Sequence, residues 1–252
     1  MGESANPIRV VVAGAGGRMG SETVRAVAAE TDMIVAAESH RGDDLPTVLR
    51  DSHADVLVDF TVPESVMANL RIALAAKVIP IVGTTGLSPE NLAEIRSLCE
   101  ENGIGALIAP NFAIGAVLLM QFAQTAAKYM PDVEIIEMHH ERKLDAPSGT
   151  AVKTAALIAA VRDASLAKGD LPGAFETVSG ARGGRAEGDI PVHSIRLPGF
   201  IASQEVIFGG PGQRLSLRHD SIDRASFMPG VVLAVRRAGS LGGLVYGLEN
   251  LL

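Results

Sequence analysis

Only one cysteine, Cys99, occurs in 252 residues, so an intramolecular disulfide is excluded and no metal site can be assembled from thiolates. A reducing compartment suits such a chain. Positive charge is not in excess either. The 22 Lys and Arg stand against 29 Asp and Glu, giving a net charge of -7 and no basic footprint for nucleic acid or an anionic membrane surface. An anionic ligand must then be held by local cations and backbone N–H groups, because the overall field repels it. The first residues place Gly, Glu, Ser, Asn and Pro before a short Val-rich run and lack the basic and apolar regions of a secretory signal, so a cytoplasmic protein is expected. Residues 102–127 carry no charge and are long enough to span a bilayer, yet Pro110-Asn111 breaks them into a strand-like and a helix-like piece, which argues against a membrane span. There is no internal repeat and no low-complexity tract.

What is present is enough apolar content, 47%, for a substantial core. Ile8 to Ala13 is a β-branched run, Gly14 to Gly20 a loop, and Thr23, Val24, Val27 and Ala28 recur at helical spacing. Strand-like runs at 33–37, 55–60 and 78–82 alternate with helix-like stretches at 65–76 and 88–101, the last opening on Ser88-Pro89-Glu90 as N-cap and first turn. Strands apolar throughout need helices on both faces, so this half predicts an α/β fold, a Rossmann-type doubly wound parallel sheet. After residue 111 extended stretches dominate at 133–139, 190–197, 204–208 and 214–219, with helices near 113–129 and 148–163, which predicts a second, α+β domain. Residues 168–189, seven of them Gly or Pro, read as a mobile excursion. Helical periodicity returns at 227–238, so the expected domains are 1–111 with 221–252, binding a dinucleotide, and 112–220, binding substrate.

Gly14-x-Gly16-x-x-Met19-Gly20 departs from G-x-G-x-x-G by one position, its third glycine falling one residue late. The physical need is still met: Gly14 permits a tight turn, Gly16 and Gly17 let backbone approach a pyrophosphate, and the following helix aims its first N–H groups at the anion. The expected cofactor residues here are Gly14, Ala15, Gly16, Gly17, Arg18 and Met19. Glu38 ends the next strand at the distance expected for a carboxylate bonding a ribose 2′-hydroxyl, which favours NADH. Arg18 and Arg41 lie where a guanidinium could pair with the 2′-phosphate of NADPH, so the cofactor is NADH or NADPH. Ligands of open parallel sheets lie beyond the carboxyl ends of strands, which adds Phe60, the Gly83-Thr84-Thr85 loop and the Ala109-Pro110-Asn111-Phe112 loop.

His139 and His140 end a predicted strand, and Lys143 follows. Adjacent strand residues face opposite ways, so both histidines reach one pocket only if the chain turns there. Asp145-Ala146-Pro147-Ser148-Gly149-Thr150 then reads as the start of a helix, with a hydroxyl from Ser148 and N–H groups from Gly149 and Thr150 for a carboxylate. Beside two histidines and a lysine this makes a pocket for a small di-acid that contains a group titrating near neutrality.

The run E-x-H-H-x-x-K-x-D-A-P-S-G-T-A at 137–151, with GAGGRMG at 14–20, DFT at 59–61, GTTG at 83–86, APNFAIG at 109–115, RHDS at 218–221 and F-x-P-G-V at 227–231, resembles the dihydrodipicolinate reductase family along the whole chain. The resemblance implies reduction of 4-hydroxy-tetrahydrodipicolinate, a small dicarboxylate, in the diaminopimelate route to lysine. It implies His139 as proton donor with Lys143 as its partner. It also implies His140, Lys143, Ser148, Gly149 and Thr150 on the substrate carboxylates, and a homotetramer joined through sheets of the second domain. Two rival readings remain. An aldehyde-oxidising dehydrogenase needs a cysteine nucleophile, but Cys99 sits among Leu92, Ile95 and Leu98 as a core residue. A non-catalytic nucleotide sensor would keep the glycine loop but has no need of an acid beside a dicarboxylate pocket.

Overall fold

The computed structural model describes residues 6–167 and 172–252. The chain divides into two compact units, Met1–Ile114 with Arg224–Leu252, and Gly115–Asp223.

In the first unit the chain runs β1 (Ile8–Ala13), α1 (Arg18–Ala28), β2 (Met33–Ser39), α2 (Leu45–Asp51), β3 (Val56–Asp59), α3 (Pro63–Ala75), β4 (Ile79–Val82), α4 (Pro89–Asn102) and β5 (Ala106–Ile108). The second unit holds most of α5 (Ile114–Ala127), then β6 (Asp132–His139), α6 (Gly149–Ala159), β7 (Gly184–Ala186), β8 (Ile190–Arg196), β9 (Ala202–Gly210) and β10 (Gln213–Ser221). The chain then returns to the first unit with α7 (Met228–Arg237) and β11 (Leu244–Tyr246).

The first sheet is parallel throughout, in the order β11-β5-β4-β3-β1-β2. Val10, Val11 and Val12 are all buried, as are all four residues of β3, because helices cover both faces. One face packs Leu45 and Leu49 of α2 on Val11 and Leu57, while Val66 and Leu70 of α3 and Ile95 and Cys99 of α4 pack on Val82 and Ile108. Burial pushes the Cys99 thiol up, the opposite of a reactive thiolate. Chain order reverses between β1 and β3, so a crevice is expected at their carboxyl ends.

The second sheet is mixed, in the order β10-β9-β6-β8-β7, with β6 and β8 parallel and the other pairs antiparallel. Leu119 and Ala123 of α5 and Ala151, Ala155 and Ile158 of α6 close one face over Ile135, Val192, Val206 and Phe208. The apolar run at 102–127 is broken where expected, into β5, a loop at 109–113 and α5, and no helix of the described residues is long and apolar enough to cross a membrane.

Part of the expected excursion is ordered structure: β7 pairs with β8 through Gly184↔Val192 and Ala186↔Ile190, while residues 168–171 lie outside those described. Glu38, expected at the end of its strand, is the penultimate residue of β2, opposite Val12.

Candidate active site

The parallel register aligns the strand ends of the first unit. Ala13 lies opposite Ser39 and Asp59, Asp59 opposite Val82, and Val82 opposite Ile108. The ladder continues one bond further, with Gly14 N donating to Ser39 O, Phe60 N to Ala13 O, Gly83 N to Asp59 O and Ala109 N to Val82 O, each at 2.9–3.1 Å. The loops expected to line a cofactor therefore leave one edge side by side.

Gly14 has φ +77°, and a Cβ there would stand 2.7 Å from Phe60 O, so only glycine fits. Gly20 explains the displaced third glycine: a Cβ on it would lie 2.1 Å from Gly14 O, so the bare position lets α1 close against its own loop. Gly17 is the N-cap of α1 and has no side chain to accept from the first N–H groups of the helix. Two cavities adjoin this loop. One of about 450 Å³ is lined by Gly14, Gly16, Gly17, His40, Arg41 and Thr61. The other, about 310 Å³, is lined by Arg18, Met19, Phe60, Gly83, Thr84 and Thr85. Bare glycine backbone, an uncapped helix start and a carboxylate at the end of β2 fit a dinucleotide. Glu38 is half exposed, with its Oε2 3.8 Å from His40 Nε2.

Asp59 holds these loops in place. Buried at the end of β3, it accepts from Thr61 N (2.8 Å), Thr61 Oγ1 (2.7 Å), Asn69 Nδ2 (2.7 Å) and Thr84 Oγ1 (3.0 Å). Thr84 thus points its hydroxyl inward, and Thr85 is the exposed member of its loop. Phe60 packs edge-on against Phe112 at 5.8 Å, and a Cβ on Gly83 would collide with the Phe60 ring. Phe112 and Ala109 are buried and Pro110 is exposed. Asn111 accepts from Ala113 N at 2.8 Å, closing the turn into α5.

In the second unit β6 ends at His139 and the chain turns at once, Lys143 N donating to His140 O. That turn is the condition for both histidines to serve one pocket. Val133, Ile135, Glu137 and His139 share the core-facing side of β6, and Glu137 is fully buried. Its carboxylate lies 2.5 Å from His139 Nδ1 through Oε2, accepts both terminal nitrogens of Arg196 on β8 at 2.7 and 2.9 Å, and accepts Ser148 N at 3.2 Å through Oε1. Burial alone would raise its pKa; the bonds from His139, Arg196 and Ser194 outweigh that and bring it to about 2.

Lys143 bonds both oxygens of Asp145, at 2.8 and 2.9 Å, a contact that holds the Asp145 carboxyl below its usual range. Arg196 also donates to Asp145 O at 2.7 Å. His139 and Lys143 are therefore each bonded to a carboxylate rather than to one another. Ser148 caps α6, its Oγ accepting from Ala151 N at 3.3 Å, which leaves its O–H to donate. Gly149 and Thr150 are the first residues of the helix, and Gly149 is exposed with open space around it. Further along α6, Thr154 donates to Thr150 O at 2.8 Å and accepts Gln204 Nε2 at 2.8 Å, tying the helix to β9.

A family model described as "Dihydrodipicolinate reductase, N-terminus" matches residues 8–112, and one described as "Dihydrodipicolinate reductase, C-terminus" matches residues 115–252. The chain belongs to the dihydrodipicolinate reductase family. It is 52% identical to the 4-hydroxy-tetrahydrodipicolinate reductase of Desulfitobacterium hafniense, covering 97% of this chain and 98% of that one. It is 49% identical to the protein of the same name from Listeria innocua, covering 97% and 100%. A solved structure, the dipicolinate-bound dihydrodipicolinate reductase of Paenisporosarcina sp. TG-14, superposes with a TM-score of 0.88 at 44% identity over 98% of this chain and all of that one. An amine dehydrogenase of Mycobacterium smegmatis, at 15% identity and a TM-score of 0.62, shares the fold alone.

Within this dihydrodipicolinate reductase family chain, Arg196 lies outside every motif of the sequence, while Asp59, Glu137 and Asp145 stand inside motifs without a role that the sequence alone assigns. Glu137 stands in phase with Val133 and Ile135 along β6, and that phase is a readable signal of a buried carboxylate.

Proposed function

We propose that the protein is a 4-hydroxy-tetrahydrodipicolinate reductase of the diaminopimelate route to lysine. One observation carries the reading within the family: a single buried carboxylate, Glu137, touches both His139 and the start of α6, so a proton donor stands beside a place for carboxylates. The nicotinamide cofactor supplies a hydride when bound. His139 supplies the proton. His140, the Lys143 ammonium, the Ser148 O–H and the N–H groups of Gly149 and Thr150 hold the substrate carboxylates, the last two aided by the positive end of the helix dipole.

The dinucleotide is held by Gly14, Ala15, Gly16, Gly17, Arg18 and Met19 at its phosphates, by Glu38 at the adenosine ribose, and by Phe60, Gly83 to Thr85 and Ala109 to Phe112 around the nicotinamide half. Both nucleotides are used: Glu38 accepts from a ribose hydroxyl of NADH, while Arg41, lining the same cavity as Gly14 and Gly17, pairs with the phosphate of NADPH. The working form is a homotetramer built through the second sheet. A long edge strand, β10, whose residues 213–216 are all exposed, supports that assembly. Purified protein mixed with NADH or NADPH and the product of dihydrodipicolinate synthase is expected to oxidise either nucleotide, read by absorbance; no oxidation with either sinks the assignment. Sedimentation at a mass of one chain would refute the tetramer.

A further inference from the structure

We propose that Glu137 is the positioning residue of the reaction: it fixes His139 in the Nδ1–H form, so that Nε2 is the nitrogen that gives the proton, and it locks the Lys143 turn to the same point through Arg196. The proposal rests on the reading of His139 as proton donor.

The argument begins with what a carboxylate can do. Glu137 is fully buried, and the bonds it receives keep it ionised, so it accepts hydrogen bonds and donates none. His139 Nδ1 lies 2.5 Å from its Oε2, and because the ionised carboxylate has no proton to give, the one between them is the imidazole's. A histidine with Nδ1–H so engaged has one nitrogen left for chemistry, Nε2. When the imidazolium releases the Nε2 proton to substrate, the Nδ1–H bond to Glu137 persists, and the neutral ring is left in a defined tautomer and orientation.

The neighbours of Glu137 show why this charge can sit in the interior. Arg196 and Ser194 face it from β8, Ser148 N from α6, and Gln204 is its register partner on β9. A buried carboxylate needs such compensation, and here each compensating group is also part of the site. Arg196 reaches on to Asp145 O, and Asp145 holds Lys143. The start of α6, with Gly149 and Thr150, is held by the Ser148 N bond to the same carboxylate. Proton donor, lysine turn and helix start therefore share one anchor, which is what holding reacting groups in a fixed geometry requires.

The test has two arms. In the unliganded protein with ¹⁵N-labelled histidine, the His139 ring, identified as the signal missing from H139Q, is expected to titrate to the Nδ1–H neutral tautomer; the Nε2–H tautomer would overturn the proposal. In Glu137→Gln the amide can turn its NH₂ toward Nδ1, so the tautomer is expected to shift toward Nε2–H. Turnover should then fall about 100-fold, within the range of general acid catalysis, while dinucleotide affinity stays within about two-fold. A Gln variant that keeps both tautomer and turnover, or loses cofactor affinity in step with turnover, also overturns it. If that variant does not fold, the tautomer of the unaltered protein decides alone. A His139→Gln protein with full turnover would instead strike down His139 as donor and leave the tautomer result standing, so the two failures are distinct.

Discussion

His139 and Glu38 belong to separate units, so their predicted effects separate cleanly. His139→Gln removes a proton donor and leaves the glycine cradle untouched; turnover is expected to fall roughly 10²- to 10⁴-fold with little change in nucleotide affinity. Steady-state kinetics beside a nucleotide titration checks this, and equal loss of both would remove His139 from the donor role. Glu38→Ala deletes an acceptor for a ribose hydroxyl but also an anion that repels a phosphate. It should weaken NADH by about ten-fold relative to NADPH, the value of a hydrogen bond or two; an unchanged ratio of affinities would rule out Glu38 as the ribose anchor. At this scale the sequence was legible wherever neighbours in the chain are neighbours in space. The histidines, Lys143 and the Ser148 cap lie within ten residues and were readable together. The Glu137–Arg196 contact, 59 residues apart, exists only through the β6–β8 register, which no local pattern encodes.

At the scale of elements, long β-branched runs and capped helices were legible because their signal is local. Ser88 caps α4 as the Ser-Pro-Glu pattern suggests, Asn91 adds the reciprocal bond of a capping box, and α4 ends on Gly103 at φ +62°. Elements held by distant partners were not. Strand β11 has three residues after Gly242-Gly243 and is stabilised by pairing Leu244 to Ala106, so it has no periodicity to read. Strand β7 lies inside a glycine-rich stretch for the same reason. The α1 start gives the sharpest prediction here. In Gly20→Ala the new Cβ would stand 2.1 Å from Gly14 O, so helix or loop must move. A loss of about 1–3 kcal/mol is expected from overpacking, with weaker dinucleotide binding because the moved loop carries the phosphate contacts. Thermal unfolding and nucleotide titration would show both, and an unchanged Tm and affinity would mean the loop tolerates a methyl group.

For the whole molecule, the depressed carboxylates decide the acid limb of stability, and they are not equal. Asp32, bonded by Arg236, and Glu94, bonded by Arg71, are held below their usual range, but both are substantially exposed and screened by solvent and salt. Glu137 is fully buried and held at about 2 against 4.5 for a free glutamate. Below pH 4.5 the unfolded chain binds a proton there that the folded chain refuses. The stabilisation is therefore complete above pH 4.5 and is lost as pH falls toward 2, on the order of 3 kcal/mol. Urea denaturation across that window should show the loss, and added salt should reduce it little, because the dominant group is out of reach of counter-ions. Glu137→Gln should be less stable than the parent at pH 6, since Arg196 keeps its charge and loses its counter-charge, yet its stability should change less between pH 4.5 and 2. Parallel slopes for the two proteins would mean that the exposed pairs, and not the buried anchor of the site, set the acid limit.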